Sequence, residues 1–90
     1  MQTKSNPTNV VIWTRKHGCS WCDRAKQLLK ANNISYQEKT VGDYPIEEFY
    51  AETQNSKTVP QIIFDGTLIG GFEQLQRALT GDQAKTTKIL

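Results

Sequence analysis

The pair Cys19-Ser20-Trp21-Cys22 lies between a run of strand formers and a run of helix formers, and that placement constrains the chain more than any other feature in it. On its N-terminal side, Asn9 to Thr14 (NVVIWT) is β-branched, aromatic or apolar at nearly every position, the pattern of a strand covered on both faces in a parallel sheet. On its C-terminal side Trp21, Ala25, Leu28 and Leu29 recur at helical spacing and Asn32-Asn33 supplies a stop, which predicts a helix over Ser20 to Ala31. Ile34 to Glu38 then reads as a second, half-buried strand. Strand, helix and strand in that order form a βαβ unit with parallel strands and a right-handed crossover.

The second half of the chain has a different rhythm. Gly42-Asp43 opens a loop, Pro45 suits a first helical turn, and Ile46, Phe49, Tyr50 and Thr53 share one helical face, with Glu47 and Glu48 near the positive N-terminus. This second helix is expected to end near Gln54. From Gln61 the chain reads QIIF, Asp65-Gly66, TLIG, and an Asp-Gly pair between apolar runs predicts an antiparallel hairpin, closed by Gly70-Gly71. Phe72, Leu75, Ala78 and Leu79 mark a third helix, with Gly81 placed as its C-terminal cap. The order β-α-β-α-β-β-α predicts an α/β chain with a four-stranded mixed sheet flanked by three helices, which matches the thioredoxin fold.

Ninety residues suffice for one hydrophobic core, so residues 9–81 are expected to form a single domain between an N-terminal tail, 1–8, and a C-terminal tail, 82–90. The longest apolar run, Val10 to Trp13, is far short of a membrane span, and Met1 to Asn9 lacks the apolar stretch of a secretory signal. The expected location is therefore cytoplasmic. Eleven Lys and Arg are scattered among nine Asp and Glu for a net charge of +2, without the clustered basic stripe of a nucleic-acid surface.

Two cysteines three positions apart leave no framework of structural disulfides, so catalysis or metal binding is the expected use. At a strand-to-helix junction, Cys19 stands where unpaired backbone N–H groups and the helix dipole favour negative charge, with Lys16 and His17 close in sequence. Such surroundings lower a thiol pKa from about 8.5 to between roughly 3.5 and 7.5, which makes Cys19 the attacking thiolate. Cys22, one turn further in, is expected to be more buried and less ionised, as suits a thiol that resolves a mixed disulfide. Competing uses are two buried small side chains or a zinc site, but zinc wants four ligands and His17 is the only further soft ligand in the chain. His17 itself reads as a solvated loop residue before a general base. Trp21, inside the cysteine turn, reads as a cover for the sulfurs before a core residue.

Lys16-x-x-Cys19-x-x-Cys22, Thr58-Val59-Pro60, the Asp-Gly hairpin and Gly70-Gly71 together resemble the glutaredoxin family in order and spacing, from about Val10 to Leu79. The resemblance implies a glutathione-dependent thiol–disulfide oxidoreductase that reduces protein disulfides and glutathione mixed disulfides. It also implies that Pro60 is a cis-proline facing the cysteines, with the backbone of Val59 open to pair with a peptide-like substrate; proline is the residue for which a cis bond is cheap. The implied glutathione site comprises Lys16, Trp21, Lys57, Thr58, Val59, Pro60, Gly71, Phe72 and Glu73. Lys16 and Lys57 would hold the glycyl carboxylate, the N–H groups starting the third helix the γ-glutamyl carboxylate, and Glu73 the amino group. The chain departs from the family pattern at Ser20-Trp21, where Pro-Tyr is frequent, and at Phe72-Glu73, where Cys-Asp is frequent. At Glu47 a carboxylate stands where the family usually has a glutamine that holds glutathione.

By this resemblance glutathione is the reductant, no metal is required, and a monomer acts on disulfide-containing or glutathionylated proteins, with no nucleic acid or membrane as partner. A second reading is a dimer holding a [2Fe–2S] cluster on Cys19 thiolates and glutathione thiols. A third is a thioredoxin-like reductant served by a flavin reductase, whose usual Gly-Pro between the cysteines is absent here.

Overall fold

A computed structural model describes residues 7–80, in which β1 (Val10–Arg15), α1 (Ser20–Ala31), β2 (Gln37–Val41), α2 (Ile46–Thr53), β3 (Gln61–Phe64), β4 (Thr67–Gly70) and α3 (Phe72–Thr80) follow one another. The strands form one sheet in the order β2-β1-β3-β4. β1 runs parallel to β2 and antiparallel to β3, and β3 antiparallel to β4, so the sheet is mixed as expected. No helix among the described residues is long and apolar enough to cross a membrane.

β1 is central because both its faces are apolar. Side chains alternate across a strand, so Val10 and Ile12 point to one face and Val11 and Trp13 to the other. On the first face Val10, Ile12 and Ile62 pack with Ala25, Leu29 and Ile34 and with Leu75, covered by α1 and α3. On the second, Trp13 and Ile63 pack with Phe49 of α2. Three layers result, with the sheet in the middle.

The second strand begins later than the sequence suggests. Ile34 is buried among core residues yet lies outside β2, which starts at Gln37. The reason is the end of α1. Asn33 adopts a left-handed φ of 60°, its N–H donates to the Lys30 carbonyl at 3.0 Å, and the Ile34 N–H donates to the Leu29 carbonyl at 3.0 Å. This pair of bonds is a Schellman cap, and Ile34 supplies the apolar contact that goes with it by joining Leu29 in the core. β2 itself is the polar edge strand QEKTV, held in place by its pairing from Val11↔Gln37 to Arg15↔Val41.

Other boundaries hold more closely. Asp65 and Gly66 both take positive φ, 50° and 85°, as the two-residue hairpin turn requires, and the Asp65 carboxylate accepts the N–H groups of Thr8 (3.1 Å) and Asn9 (2.7 Å). Thr8, expected in the tail, is thus tied to the hairpin. Pro45 is the residue before α2 rather than within it, and Gln54 ends that helix in the left-handed region. Ile46, expected on the buried face of α2, is 41% exposed at the first position of that helix. Ala78 is exposed on α3, whose buried residue is Leu75. The Gly81 cap and the tail 82–90 fall outside the described residues.

A charged cluster fastens α2 to the sheet. Lys39 donates to Glu48 (2.7 Å) and Glu52 (3.0 Å), and the Trp13 indole N–H donates to the other Glu52 oxygen (2.8 Å). The Glu48 carboxylate, outweighing burial and aided by Glu52, raises the Lys39 pKa above its ordinary value. Burial alone would raise Glu52, but the Trp13 indole and Lys39 outweigh it and leave that carboxyl below its usual range. A raised lysine contributes stability below its unfolded pKa of about 10.4 that fades as pH climbs through the folded value; a lowered glutamate contributes above its unfolded value of about 4.3 and fades as pH drops through the folded one. Lys39→Met is therefore expected to cost about 1 kcal/mol at neutral pH, once solvent screening of the partly exposed carboxylates is allowed for. In urea titrations the gap between native and variant should narrow at both extremes of pH; a gap constant from acid to alkaline pH contradicts this.

Candidate active site

Cys19 and Cys22 are joined as a disulfide at the N-terminus of α1, their Cα atoms 5.2 Å apart. The local fold follows from the junction. β1 ends at Arg15, the chain turns through Gly18 with a φ of 66°, and Cys19 becomes the N-cap of α1. In place of the usual oxygen, its sulfur accepts the Cys22 backbone N–H at 3.1 Å, while its carbonyl accepts the Asp23 N–H at 3.2 Å. An N-cap atom at the positive end of a twelve-residue helix is more stable as an anion, so reduction leaves the Cys19 sulfur in surroundings that favour thiolate. Cys22 is 2% exposed, whereas Cys19 is half-buried and open to attack. Burial and exposure divide the two sulfurs as the spacing leads one to expect.

Arg15 shapes the loop before the nucleophile. Its Nε donates to the His17 carbonyl at 2.9 Å and a terminal nitrogen to the Gly18 carbonyl at 2.6 Å. The sequence offered no sign of this, because a lone arginine after a strand carries no local signal of the carbonyls it will meet. His17 is exposed, its backbone carbonyl engaged by Arg15.

Beside the cysteine turn, Trp21, Thr58, Val59, Pro60, Gly71, Phe72 and Glu73 line one groove of about 320 Å³, together with Gln74. The Val59–Pro60 peptide bond is cis. These two residues precede β3, whose pairing with β1 starts at Gln61, and the Gln61 side chain anchors the preceding turn by donating to the Thr58 carbonyl at 3.1 Å. Trp21 is 54% exposed and packs on Phe72 with ring centroids 5.4 Å apart, so two aromatic rings form one wall. The Arg24 guanidinium covers the Trp21 ring at 4.9 Å. Trp21 is thus a groove residue and no part of the core.

At the start of α3, Gln74 reaches back to accept the Gly71 N–H at 3.0 Å. That N–H is already satisfied within the chain. A Cβ on Gly70, whose φ is 120°, would lie 3.1 Å from Gln74 Cγ, so the glycine makes room for this cap.

The two lysines part company. Lys16 pairs with Asp43 at 2.9 Å and lines a polar pocket on the other side of the cysteines, with Thr14, Lys26, Glu38 and Thr40. There the Thr14 hydroxyl, bonded to Glu38 at 2.7 Å, holds that carboxyl below its usual range against the effect of burial, with help from Lys26. Lys57 instead stands over the Tyr50 ring at 5.8 Å and shares a second cleft with Arg15 and Val59. Neither lysine therefore lines the groove that unites the other expected residues: Lys16 is turned toward Asp43, and Lys57 shares its cleft with Arg15. Glu47 is exposed and lines neither cleft, whereas Tyr50, one turn on, does.

Among the described residues no group of three or more His, Cys, Asp and Glu side chains is arranged to hold a metal ion. An iron–sulfur cluster on Cys19 would draw its other ligands from a second copy and from glutathione.

A cysteine pair at the head of a helix, with a cis-proline in the groove that Trp21 of the cysteine turn lines, defines on this mixed sheet a thiol–disulfide oxidoreductase of the thioredoxin fold. Known proteins agree on which branch. The glutaredoxin family model matches residues 10–69. Glutaredoxin 3 of Escherichia coli strain K12 is 40% identical over 68 residues, 74% of this chain and 81% of its own. Two solved structures superpose on the chain. Glutaredoxin 1 from Francisella tularensis, complexed with cacodylate, has a TM-score of 0.65 at 40% identity, covering 80% of this chain and 93% of that one. The glutaredoxin of Brucella melitensis, in solution, has a TM-score of 0.65 at 30% identity over 98% of this chain and 100% of that one. The chain belongs to the glutaredoxin family.

Proposed function

We propose that the chain is a glutathione-dependent oxidoreductase that reduces protein disulfides and glutathione mixed disulfides through Cys19 and Cys22. The observation that carries this reading is the single groove that unites Trp21, the Thr58–Pro60 turn and the head of α3 beside the cysteine pair. Its apolar wall suits the body of a peptide, and the backbone ahead of β3 suits strand-like pairing with one. Cations at Arg15 and Lys57 suit one carboxylate of glutathione and the α3 N-terminus the other, with Glu73 available for its amino group.

The Cys19 thiolate attacks a substrate disulfide, forming a Cys19–substrate disulfide and releasing the other half as a thiolate that takes up a proton. Cys22 then gives up its proton and attacks the Cys19 sulfur, which expels the second substrate thiolate and forms the disulfide described above. One glutathione thiolate opens that disulfide, and a second displaces the enzyme thiolate, yielding glutathione disulfide and the dithiol. On this reading glutathione serves as co-substrate to a monomer in the cytoplasm. The use of both cysteines in one reactive pair, with none left for a structural staple, supports a reducing compartment.

Turnover of bis(2-hydroxyethyl) disulfide, coupled through glutathione reductase to NADPH, tests the dependence. Oxidation of NADPH is expected only when glutathione is present. If a thioredoxin-type flavin reductase sustains turnover and glutathione does not, the proposed reductant is wrong.

A further inference from the structure

On the α2 side of Val59 lies the second cleft, about 250 Å³, and it offers more than a carboxylate anchor. Its walls are Ile46, Tyr50, Val41 and Val59, and its cations are Arg15 and Lys57. Ile46 and Trp21 are the two large hydrophobic side chains most exposed among the described residues, at 41% and 54%. They stand in separate clefts, and both clefts have Val59 as a wall. Ile46 at the head of this short helix adds nothing to the core, and it shares with two cations a concave cleft walled by Val59, which points to a ligand.

Glutathione does not fill such a space. Beyond its cysteine it carries a glycine, with no side chain to cover Ile46 or the Tyr50 ring. A polypeptide does carry one, and an extended chain drawn along Val59 presents successive side chains to opposite sides. No carboxylate among the described residues lines the cleft, and Glu47, next to Ile46 in the chain, stays outside it. The acceptors that Arg15 meets here are two backbone carbonyls, and with no carboxylate among the described lining residues the net field across the cleft favours an anion.

We propose that this cleft is a side-chain pocket that selects polypeptide disulfides whose cysteine adjoins an apolar residue, followed by a carboxylate. The proposal rests on the oxidoreductase reading above and adds a substrate class to it: structured or unfolded proteins with an apolar–acidic flank, favoured over glycine-flanked cysteines.

Symmetrical disulfides of hexapeptides test it, with Leu or Gly either directly before or directly after the cysteine and Glu or Lys one position further out. Each initial rate with the reduced chain is divided by the rate for bis(2-hydroxyethyl) disulfide measured on the same protein. The Leu-to-Gly ratio is expected to be about 10 in one of the two registers, the discrimination typical of a side chain in an apolar pocket. Ile46→Ala should bring that ratio to about 3 or less, and Lys57→Glu should invert the Glu-to-Lys preference. Both positions are exposed, and melting curves of each variant serve as the check on folding. A Leu-to-Gly ratio near one in both registers, or one that Ile46→Ala leaves unchanged, overturns the pocket. If bis(2-hydroxyethyl) disulfide is turned over while the ratios stay flat, the pocket alone fails; if it is not turned over at all, the oxidoreductase reading fails and takes the pocket with it.

Discussion

Replacing Cys19 with serine is expected to abolish all disulfide turnover, whereas replacing Cys22 with serine removes only the reduction of protein disulfides. The asymmetry follows from position. Cys19 is half-buried, open to substrate, and holds its sulfur against the Cys22 N–H at the positive end of α1, so a serine there loses both nucleophilicity and the means to be an anion at neutral pH. Cys22 is 2% exposed and cannot meet a substrate; it reaches only the sulfur of Cys19. A glutathione mixed disulfide needs no internal attack, because external glutathione can resolve it, and its cleavage should survive in Cys22→Ser. Coupled assays on a glutathionylated peptide and on a protein with an internal disulfide separate the two routes. Equal loss of both activities in Cys22→Ser contradicts this division of labour, and any activity in Cys19→Ser above the glutathione background contradicts the assignment of the nucleophile.

Trp13→Ala should be the most damaging single change to stability, at about 3–5 kcal/mol. Trp13 is fully buried on the α2 face of β1, with Phe49 and Tyr44 edge-on at ring distances of 5.2 and 5.6 Å. Its removal opens a cavity between sheet and helix. It also takes the indole donor from Glu52, whose carboxylate is partly buried and keeps its bond to Lys39. For a domain of this size the loss corresponds to a fall in melting temperature of more than about 12 °C, readable by circular dichroism. A drop of only a few degrees shows that α2 repacks over the gap. Because β1 leads directly into the cysteine turn, the same variant should lose activity in step with its folded fraction and not beyond it.

The site was legible wherever chemistry is written into neighbouring residues. The cysteine pair, the strand before it and the helix after it are local features, and α1 spans the residues that its apolar spacing and Asn32-Asn33 stop predict. The Asp-Gly hairpin is equally local, since positive φ at two successive positions is a demand that few residue pairs meet. Ile34 was misleading for a physical reason: an apolar residue after a helix packs its terminal turn as readily as it begins a strand, and composition cannot distinguish the two. β2 was displaced for a related reason, since QEKTV is too polar to announce itself and becomes a strand only because β1 offers a paired edge.

Taken alone, the order of residues determined the class of fold, the pairing and unequal burial of the two sulfurs, and most of the groove, because each depends on contacts within a few positions or on motifs whose spacing admits one geometry. Tertiary structure decided which cation stands where. Lys16 and Arg15 are neighbours of the same charge, and only the turn after β1 sends one to Asp43 and the other to the side of Lys57. It likewise decided that Gln74 caps Gly71 and that Ile46 faces a cleft and not the core. Long-range packing sets the direction in which a side chain leaves the backbone, and a charged or apolar residue at a loop or helix end carries no local signal of the partner it will meet.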